Sequence, residues 1–391
     1  MKDFNEYAKA SELRNRNVLF IIDEPYVSDL ALGTLEAMRA PVLRNVFASN
    51  VKDRRLNLVD ALEADGKIYS NSENAIGLVL GRLAGSRIAA QIELCKNKYE
   101  FRRLLSEVYP DFGFMLIAPE DFDSASGLPE RFIIKPTVGF LSMGVHKVES
   151  KEDWEKAKNA LRTEIKDFKR NFPESVLSPS GFIIEELIEG EEFAIDVYFD
   201  DAGAPVVLNI FKHPFVGKDD VSDRLYLTSR EIVESNLAPF SAALESIGMA
   251  FGLKDFPAHI EVIRRKDGRV VPVEINPMRF AGWCTTDLAY FAYGINVYEY
   301  FNYGRKPDWT EILRDKGSEM YYFAMAETPL AIDKSQIAFD HESFKCEFSH
   351  ILDYRPIDYR DKPLFAIIFG MTESKDELDR ILRLKTEDFI R

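Results

Sequence analysis

Glu261 and Glu274 are predicted to face each other across a β-hairpin. The dipeptide Asp267-Gly268 lies between them, flanked by β-forming residues, and this pattern is typical of a two-residue type I′ turn. In that register Val262 lies opposite Val273 on an apolar face, and the two carboxylates oppose each other on the polar face. Because opposed carboxylates repel, we expect removal of one charge to leave the metal-free protein equally stable or slightly more stable.

Asn276 lies on the same predicted face as Glu274, two residues further along the chain, with His259 opposite it. Two carboxylates and an amide oxygen form a set that suits Mg²⁺. The alternative is a solvated polar face on an amphipathic hairpin, and the pattern alone leaves both open. His259 is either a donor to a phosphate or substrate, or only a polar neighbour.

Lysines and glycines upstream form a second pattern. Lys135 ends a predicted strand at 131–135, and the segment 139–144, with a glycine at each end, follows it. Such a loop can turn backbone N–H groups and a serine hydroxyl toward a phosphate. It is not a P-loop, because Val145-His146 follows the second glycine, and a plain β-turn explains it nearly as well. Lys98, taken alone, is a surface lysine on a helix.

Residues 184–196 combine acidic and apolar residues in a strand pattern. Phe193 and Ile195 alternate on a core face, which leaves Glu192 and Asp196 on the opposite face. These carboxylates could accept hydrogen bonds from ribose hydroxyls. An exposed acidic sheet face is an equally good interpretation.

The elements that would position these residues indicate a mixed α and β protein. The first ninety-odd residues alternate between strand and helix patterns, beginning with a buried strand at 18–22, and lack a GxGxxG segment. Further strands are predicted at 182–188, 192–199, 206–210, 320–326, 344–352 and 364–369. Helices are predicted at 75–83, 96–105, 151–170, 286–302 and 375–384.

The composition excludes several classes of protein. The 391 residues carry 50 Lys plus Arg against 65 Asp plus Glu, a net charge of −15, so the chain lacks the basic field that favours nucleic acid or an anionic membrane. The three cysteines form no CxxC pair, which argues against a structural zinc site or a disulfide framework. No segment has the length and apolarity of a membrane span or a signal peptide. We therefore expect a cytoplasmic protein without nucleic-acid or membrane partners.

Taken in order, these motifs resemble the ATP-grasp superfamily, which includes D-alanine–D-alanine ligase, biotin carboxylase and the large subunit of carbamoyl-phosphate synthetase. The resemblance extends from about Lys98 to Asn302 and includes the segments Glu-Glu-Leu-Ile-Glu-Gly-Glu-Glu-Phe and Glu-Ile-Asn-Pro. It implies an α/β and α+β ATP-grasp fold. The implied domains are an N-terminal α/β domain at 1–95, a small lobe with the glycine loop at 96–184, a large lobe with the metal site at 185–305, and a C-terminal accessory lobe at 306–391.

The resemblance also implies roles around ATP and Mg²⁺. The phosphates would be held by Lys98 and Lys135. The lid over the phosphates would contain Gly139, Ser142, Met143 and Gly144. The adenine hinge would contain Glu185, Glu186 and Leu187, while the ribose would be bound by Glu192. One or two Mg²⁺ ions, with Mn²⁺ as the alternative, would be held by Glu261, Glu274 and Asn276.

In such a site a carboxylate is activated as an acyl phosphate, ADP and phosphate are released, and an amine, an amino acid for example, attacks. Carboxylate–thiol ligation, carboxyphosphate or carbamoyl-phosphate chemistry, and nucleotide binding without turnover are the alternatives. Catalytic contacts are expected from Arg279, His259 and Lys212, although the family often has arginine where Met278 stands. The partners would be a small carboxylate and a small amine, and a homodimer is left open. An aromatic acceptor pocket is expected from Phe280, Trp283 and Tyr290.

Overall fold

A computed structural model describes residues 18–23, 26–44, 67–139, 144–171, 181–217, 224–329 and 333–391. The strands are β1 Leu19–Ile22, β2 Val42–Arg44, β3 Ile68–Ser70, β4 Phe114–Ile117, β5 Phe132–Pro136, β6 His146–Val148, β7 Phe182–Glu186, β8 Glu191–Phe199, β9 Pro205–His213, β10 Leu225–Ser229, β11 Phe256–Arg264, β12 Val270–Pro277, β13 Met320–Glu327, β14 Ile351–Pro356 and β15 Leu364–Thr372. The predicted lid residues Ser142 and Met143 lie outside the described residues.

The α-helices are α1 Asp29–Ala37, α2 Ile76–Arg82, α3 Arg87–Lys96, α4 Lys98–Leu105, α5 Lys151–Asn171, α6 Arg230–Phe251, α7 Leu288–Tyr293, α8 Val297–Tyr303, α9 Trp309–Leu313, α10 His341–Lys345 and α11 Lys375–Leu382. Short 3₁₀ helices lie at Glu73–Ala75, Pro119–Asp121, Thr285–Asp287 and Thr386–Phe389. None of the described helices combines the length and apolarity needed to cross a membrane.

The N-terminal sheet is parallel, with strand order β2-β1-β3. All four residues of β1 are buried, as expected for a parallel strand covered on both faces. The prediction of an α/β arrangement in this part of the chain is confirmed.

The second sheet has four strands in the order β4-β7-β5-β6. Strand alternation turns Phe132, Ile134 and Ile184 toward the core beneath α5. Lys135 and Glu185 therefore project from the opposite face of the sheet.

The third sheet has eight strands in the order β12-β11-β8-β9-β10-β13-β15-β14. Phe193, Ile195 and Val197 of β8 pack in one core with Phe240 and Leu244 of α6. The other face of the sheet carries the polar residues of β8, β11 and β12. Because β13 pairs with β10, the boundary proposed after residue 305 falls within one continuous sheet.

Two predicted elements are wrong in type or extent. The helix predicted over 286–302 is broken into a 3₁₀ turn, α7 and α8, because Gly294 takes a left-handed φ of 70° and Asn296 caps a new helix. Part of the strand predicted over 344–352 is wrong, because Phe344 lies in α10 and β14 begins at Ile351.

The hairpin has the predicted carboxylate pair but a different turn. Glu261 pairs with Glu274, as predicted, while Val262 pairs with Pro272 rather than with Val273. The Gly268 N–H donates to Arg265 O, and Gly268 has a φ of 85°, so the turn is a three-residue loop with glycine in the left-handed position. A bulge at Val273 offsets the longer loop and restores the register at the glutamates.

Candidate active site

The polar residues of three adjacent strands share one face of the eight-stranded sheet. In the register of β8, β11 and β12, Asp196 pairs with His259 and His259 with Asn276, while Glu261 lies between Ala194 and Glu274. Since paired residues project to the same side of a sheet, these side chains form one surface. The remaining residues of the candidate site come to this surface from α4, from the four-stranded sheet and from the segment after β12.

Lys98 reaches the glutamate pair from the start of α4. The Asn97 side chain caps this helix by accepting from the N–H groups of Tyr99 and Glu100. The Lys98 Nζ atom lies 3.0 Å from Glu274 Oε1 and 3.3 Å from Gly139 O. Although burial opposes the charged form, the Glu274 carboxylate raises the pKa of Lys98. Lys98 is therefore a buried cation rather than a surface lysine.

This contact changes the expectation for Glu274. Burial opposes ionisation of its carboxyl, but the nearby Lys98 ammonium holds the pKa of Glu274 below its ordinary value. Lys98 thus supplies a positive charge beside the glutamate pair in the absence of metal. The contact with Lys98 therefore favours the opposite prediction for Glu274, that removing its charge destabilises the metal-free protein.

The donor set of the predicted metal site fits a hard cation. Glu261 and Glu274 lie in register on adjacent strands, and Asn276 Nδ2 donates to Glu261 Oε1 at 3.1 Å. In the described part of the chain, no group of three or more His, Cys, Asp or Glu side chains is placed to hold a metal ion. Two carboxylates and one amide would therefore need oxygens from a bound ligand to complete the coordination of Mg²⁺.

Arg102, which the sequence analysis did not include, joins the two sheets. It lies one helical turn after Lys98, so both project from the same side of α4. Its Nε atom lies 2.7 Å from Glu185 Oε1, and its Nη1 atom donates to Pro272 O at 2.6 Å. The i, i+4 spacing of Lys98 and Arg102 indicates that the two cations share one side of a helix. It does not indicate their partners, which are far away in the sequence.

Lys135 binds the other oxygen of the same carboxylate, with Nζ 2.8 Å from Glu185 Oε2. Burial acts to raise the pKa of Glu185, but Arg102 and Lys135 hold it at about 2. Burial also lowers the pKa of Lys135, and the Glu185 carboxylate only partly opposes this effect. Glu185 is thus the buried anion between two cations, and its predicted role at an adenine hinge stays a prediction.

His259 is held by a fully buried carboxylate. Its Nδ1 atom lies 2.8 Å from Asp196 Oδ1, which also accepts from the Ala281 N–H at 2.8 Å. Asp196 is 0% exposed, and its Oδ2 atom has no hydrogen-bond partner among the described residues. The carboxylate fixes the orientation of the imidazole and anchors the segment that follows β12.

Lys212 is not brought to this face. It pairs with Phe193, whose side chain packs under α6, and its Nζ atom lies 2.5 Å from Glu191 Oε1. The next residue, His213, does project to the site face, where its Nδ1 atom lies 3.3 Å from Glu192 Oε1. The assignment of Lys212 as a catalytic contact conflicts with strand alternation, and His213, like Arg102, was not predicted from the sequence.

Arg279 is oriented by an acidic residue from the N-terminal part of the chain. Its Nη2 atom lies 2.9 Å from Glu73 Oε1, and Lys96 Nζ lies 2.6 Å from Glu73 Oε2. Burial opposes ionisation, but these two cations lower the pKa of Glu73 to about 2. Met278, just before Arg279, and Cys284, five residues after it, have left-handed φ values of 62° and 63°.

The other predicted residues have the following positions in the structure. Gly139 contributes its carbonyl to Lys98, and Gly144 has a φ of 72°. The Glu186 and Leu187 N–H groups donate to Gly113 O and Arg131 O. Of the aromatic residues expected around an acceptor, Phe280 is fully buried whereas Tyr290 is 44% exposed.

Comparison with known proteins identifies the fold. Residues 128–287 match the family model of the ATP-grasp domain. Similar solved structures include L-amino acid ligase from Bacillus licheniformis, with a TM-score of 0.63 and 16% identity over 96% of this chain and 98% of that one. Biotin carboxylase from Campylobacter jejuni has a TM-score of 0.58 and 13% identity over 92% of this chain and 88% of that one.

N5-carboxyaminoimidazole synthase from Aspergillus clavatus, solved with ADP and an aminoimidazole ribonucleotide, has a TM-score of 0.62. Its identity is 12% over 94% of this chain and 97% of that one. No curated protein sequence matches the chain significantly. The chain contains an ATP-grasp domain at residues 128–287 and has the ATP-grasp fold.

Proposed function

We propose that this protein is an ATP-dependent ligase that activates a carboxylate as an acyl phosphate and joins it to an amine, with release of ADP and phosphate. One observation carries the proposal. Lys98, Lys135 and Arg102 converge on the cleft between the two larger sheets, and the paired carboxylates Glu261 and Glu274 line the same cleft. An anionic nucleotide together with a divalent cation would match these opposite charges.

In this proposal Lys98 and Lys135 neutralise the charge of the phosphates, which is the main contribution a protein makes to phosphoryl transfer. Glu261, Glu274 and Asn276 would hold Mg²⁺, or Mn²⁺ in its place, which when bound supplies further neutralisation. Lys98 becomes available to a phosphate when another cation takes its place at Glu274. In this proposal Lys98 would exchange its contact with Glu274 for a contact with a phosphate.

Arg279 and His259 are the proposed contacts to the carboxylate substrate and its acyl phosphate. Both are held by buried carboxylates, Glu73 for Arg279 and Asp196 for His259. Orientation by a second residue lowers the entropy that a side chain loses when it binds a substrate. Arg279 would contact an anionic oxygen, and His259 would donate or accept a proton at its second ring nitrogen.

Amino acids are the substrate class we propose to test first. The similarity to L-amino acid ligase extends over nearly the whole of both chains. The acceptor would be an amine, and the carboxylate donor would also be an amino acid.

The decisive experiment is a screen of amino-acid pairs with ATP and Mg²⁺, followed by chromatography of the nucleotides and mass spectrometry of the products. We expect ADP, phosphate and an amide-linked product. Glu261→Gln should abolish turnover, whereas Glu245→Gln, on the exposed side of α6, should not change it. AMP and pyrophosphate as products would refute acyl-phosphate chemistry, and ATP binding without turnover on any pair would refute amino acids as the substrates.

A further inference from the structure

A cavity of about 360 Å³ lies outside the cleft described above. Its walls come from three distant parts of the chain. They are the start of α1 with the segment before it, the helix α7 and the edge strand β14. The residues that matter here are Tyr26, Asp29, Tyr290, Phe291, Asp353 and Arg355. The volume is within the range of small-molecule sites in proteins.

The side chains that line this cavity carry more negative than positive charge. Arg355 is buried, with Nη1 2.8 Å from Asp287 Oδ2 and Nε 2.6 Å from Asp353 Oδ2. Asp287 is 0% exposed in its side chain and neutralises the guanidinium from behind the cavity wall. The charge that remains on the cavity side belongs to Asp353 and to the exposed Asp29. The cavity is therefore negative although it contains an arginine.

Aromatic rings form much of the remaining wall. Tyr26, Tyr290 and Phe291 lie beside the carboxylates, and the neighbouring Tyr354 is fixed by a 2.6 Å contact between its hydroxyl and His341 Nδ1. The Arg355 guanidinium already lies over Phe291, 5.9 Å from the ring centroid. Aromatic faces attract cations, and the effect is larger where solvent is partly excluded.

From these observations we propose that the cavity binds an organic ammonium ion with an apolar chain. Asp29 and Asp353 would pair with the ammonium group, and the rings would contact the chain. The binding proposal stands independently of the ligase reaction. Only the assignment of the bound amine as the acceptor substrate, rather than an effector, rests on the proposed function.

The position of the cavity makes both assignments testable. Cys284 Sγ lies 3.9 Å from Tyr26 O, and Ala281, three residues earlier, donates to Asp196 in the cleft. Three residues span at most roughly 11 Å, so one short segment joins the cavity wall to the reaction cleft. An amine in the cavity would lie next to the segment that carries Arg279.

The test uses the full chain and isothermal titration calorimetry with hexylamine, hexanol and hexanoate, which share a chain and differ in charge. We expect hexylamine to bind, hexanol to bind about tenfold more weakly or worse, and hexanoate not to bind. Asp29→Asn and Asp353→Asn should each weaken hexylamine binding about tenfold. Asp361→Asn, an exposed carboxylate outside the cavity, should leave it unchanged.

Preference for hexanoate would overturn the proposal, because Arg355 would then be the residue that selects the ligand. Equal binding to wild type, Asp29→Asn and Asp353→Asn would also overturn it, since attraction to the acidic surface would explain the result.

With a carboxylate substrate and ATP present, incorporation of the amine into product assigns the cavity to the acceptor. A changed rate without incorporation assigns it to an effector. Failure of all turnover, with binding intact, would refute the ligase and retain the cavity.

Discussion

At the scale of single residues, Lys98 links the proposed metal-binding carboxylates to the proposed phosphate site. Its ammonium is buried and pairs with Glu274, yet the resemblance to ATP-grasp proteins assigns it to a phosphate. A buried charge needs a partner of opposite charge. Removing that partner alone destabilises the fold more than replacing both members of the pair. If Lys98 binds a phosphate as we propose, it must give up its contact with Glu274.

Glu274→Gln should destabilise the metal-free protein, because it leaves Lys98 buried without a counter-charge. We expect a loss of about 1–3 kcal/mol in the free energy of unfolding, measured with urea. The double variant Lys98→Met, Glu274→Gln should recover part of this loss, as expected for directly interacting residues.

Glu100→Gln is the matched control, because Glu100 forms a surface pair with Arg103 on the same helix. Its effect should stay within about 0.5 kcal/mol. A Glu274→Gln protein that is as stable as wild type would contradict the Lys98 contact and restore the simple repulsion between Glu261 and Glu274.

Glu185 should contribute to the stability of the protein in acid. The folded protein holds its pKa at about 2, below the value of about 4.3 in an unfolded chain. As the pH falls the unfolded chain binds the proton first, so the contribution is complete above about pH 4.3 and is lost toward pH 2.

Glu185→Gln removes this titration. The difference in unfolding free energy between wild type and variant should be large at pH 7 and should shrink as the pH falls from 4.3 to 2. Urea denaturation at several pH values measures it. A difference that stays constant with pH would show that Glu185 is not ionised between Arg102 and Lys135.

At the scale of elements, strand alternation decides which residues enter the cleft. Glu192 and Asp196 could be placed on one face from sequence because Phe193 and Ile195 mark the other. Lys212 could not, since the predicted strand ended at 210 and left its direction open. In the structure β9 continues to His213, and alternation turns Lys212 toward α6.

Lys212→Met and Glu192→Gln should therefore have different effects on nucleotide binding. Lys212→Met should leave the Kd for ATP with Mg²⁺ within about twofold, whereas Glu192→Gln should raise it about tenfold, the scale of a hydrogen bond to a charged group. Calorimetric titration compares the two directly. A large increase in the Kd for ATP caused by Lys212→Met, but not by Glu192→Gln, would mean that the Lys212 side chain reaches the site face of the sheet. That result would contradict its position toward α6.

The hairpin shows how much of a local structure can be predicted from a short stretch of sequence. Asp267-Gly268 predicted a tight turn, and the pairing of Glu261 with Glu274 was correct. The turn has one more residue than predicted, and the bulge at Val273 compensates for it. Pro272, which has no N–H to donate, lies beside the bulge. The sequence of the hairpin does not show which residue of β12 forms the bulge.

Other elements depend on contacts that are distant in sequence. The 22-residue helix α6 was not predicted, and Pro239 inside it is a residue that normally interrupts helices. The contact of Arg279 with Glu73 links residues 206 positions apart. Neither spacing nor residue type identifies such pairs, so the sequence predicted the kinds of side chain in the cleft better than their partners.

At the scale of the whole molecule, the eight-stranded sheet makes the C-terminal segment part of the large lobe. β13 pairs with β10 and β15, and fully buried residues such as Phe323 and Phe369 lie at this junction. Loss of the segment would expose the edge of β10 together with an apolar surface.

A chain ending at residue 305 should therefore fail to unfold cooperatively and should not bind ATP. A chain ending at residue 374 keeps all eight strands and loses α11, so it should unfold cooperatively at a lower temperature. Circular dichroism during heating, with and without ATP, compares them. Cooperative unfolding of the 305-residue chain would show that the C-terminal strands are dispensable for the fold.

The order of strands in this sheet also has a consequence during synthesis of the chain. β10 ends at Ser229, and its neighbour β13 begins at Met320, about ninety residues later. At about 5–20 residues per second, the ribosome needs roughly 5 to 20 s to deliver the second strand after the first. During that interval the edge of β10 has no native partner and can pair with other nascent chains. The crowding of ribosomes on a message, and chaperones that cover open strand edges, would then determine how much of this protein reaches its folded state.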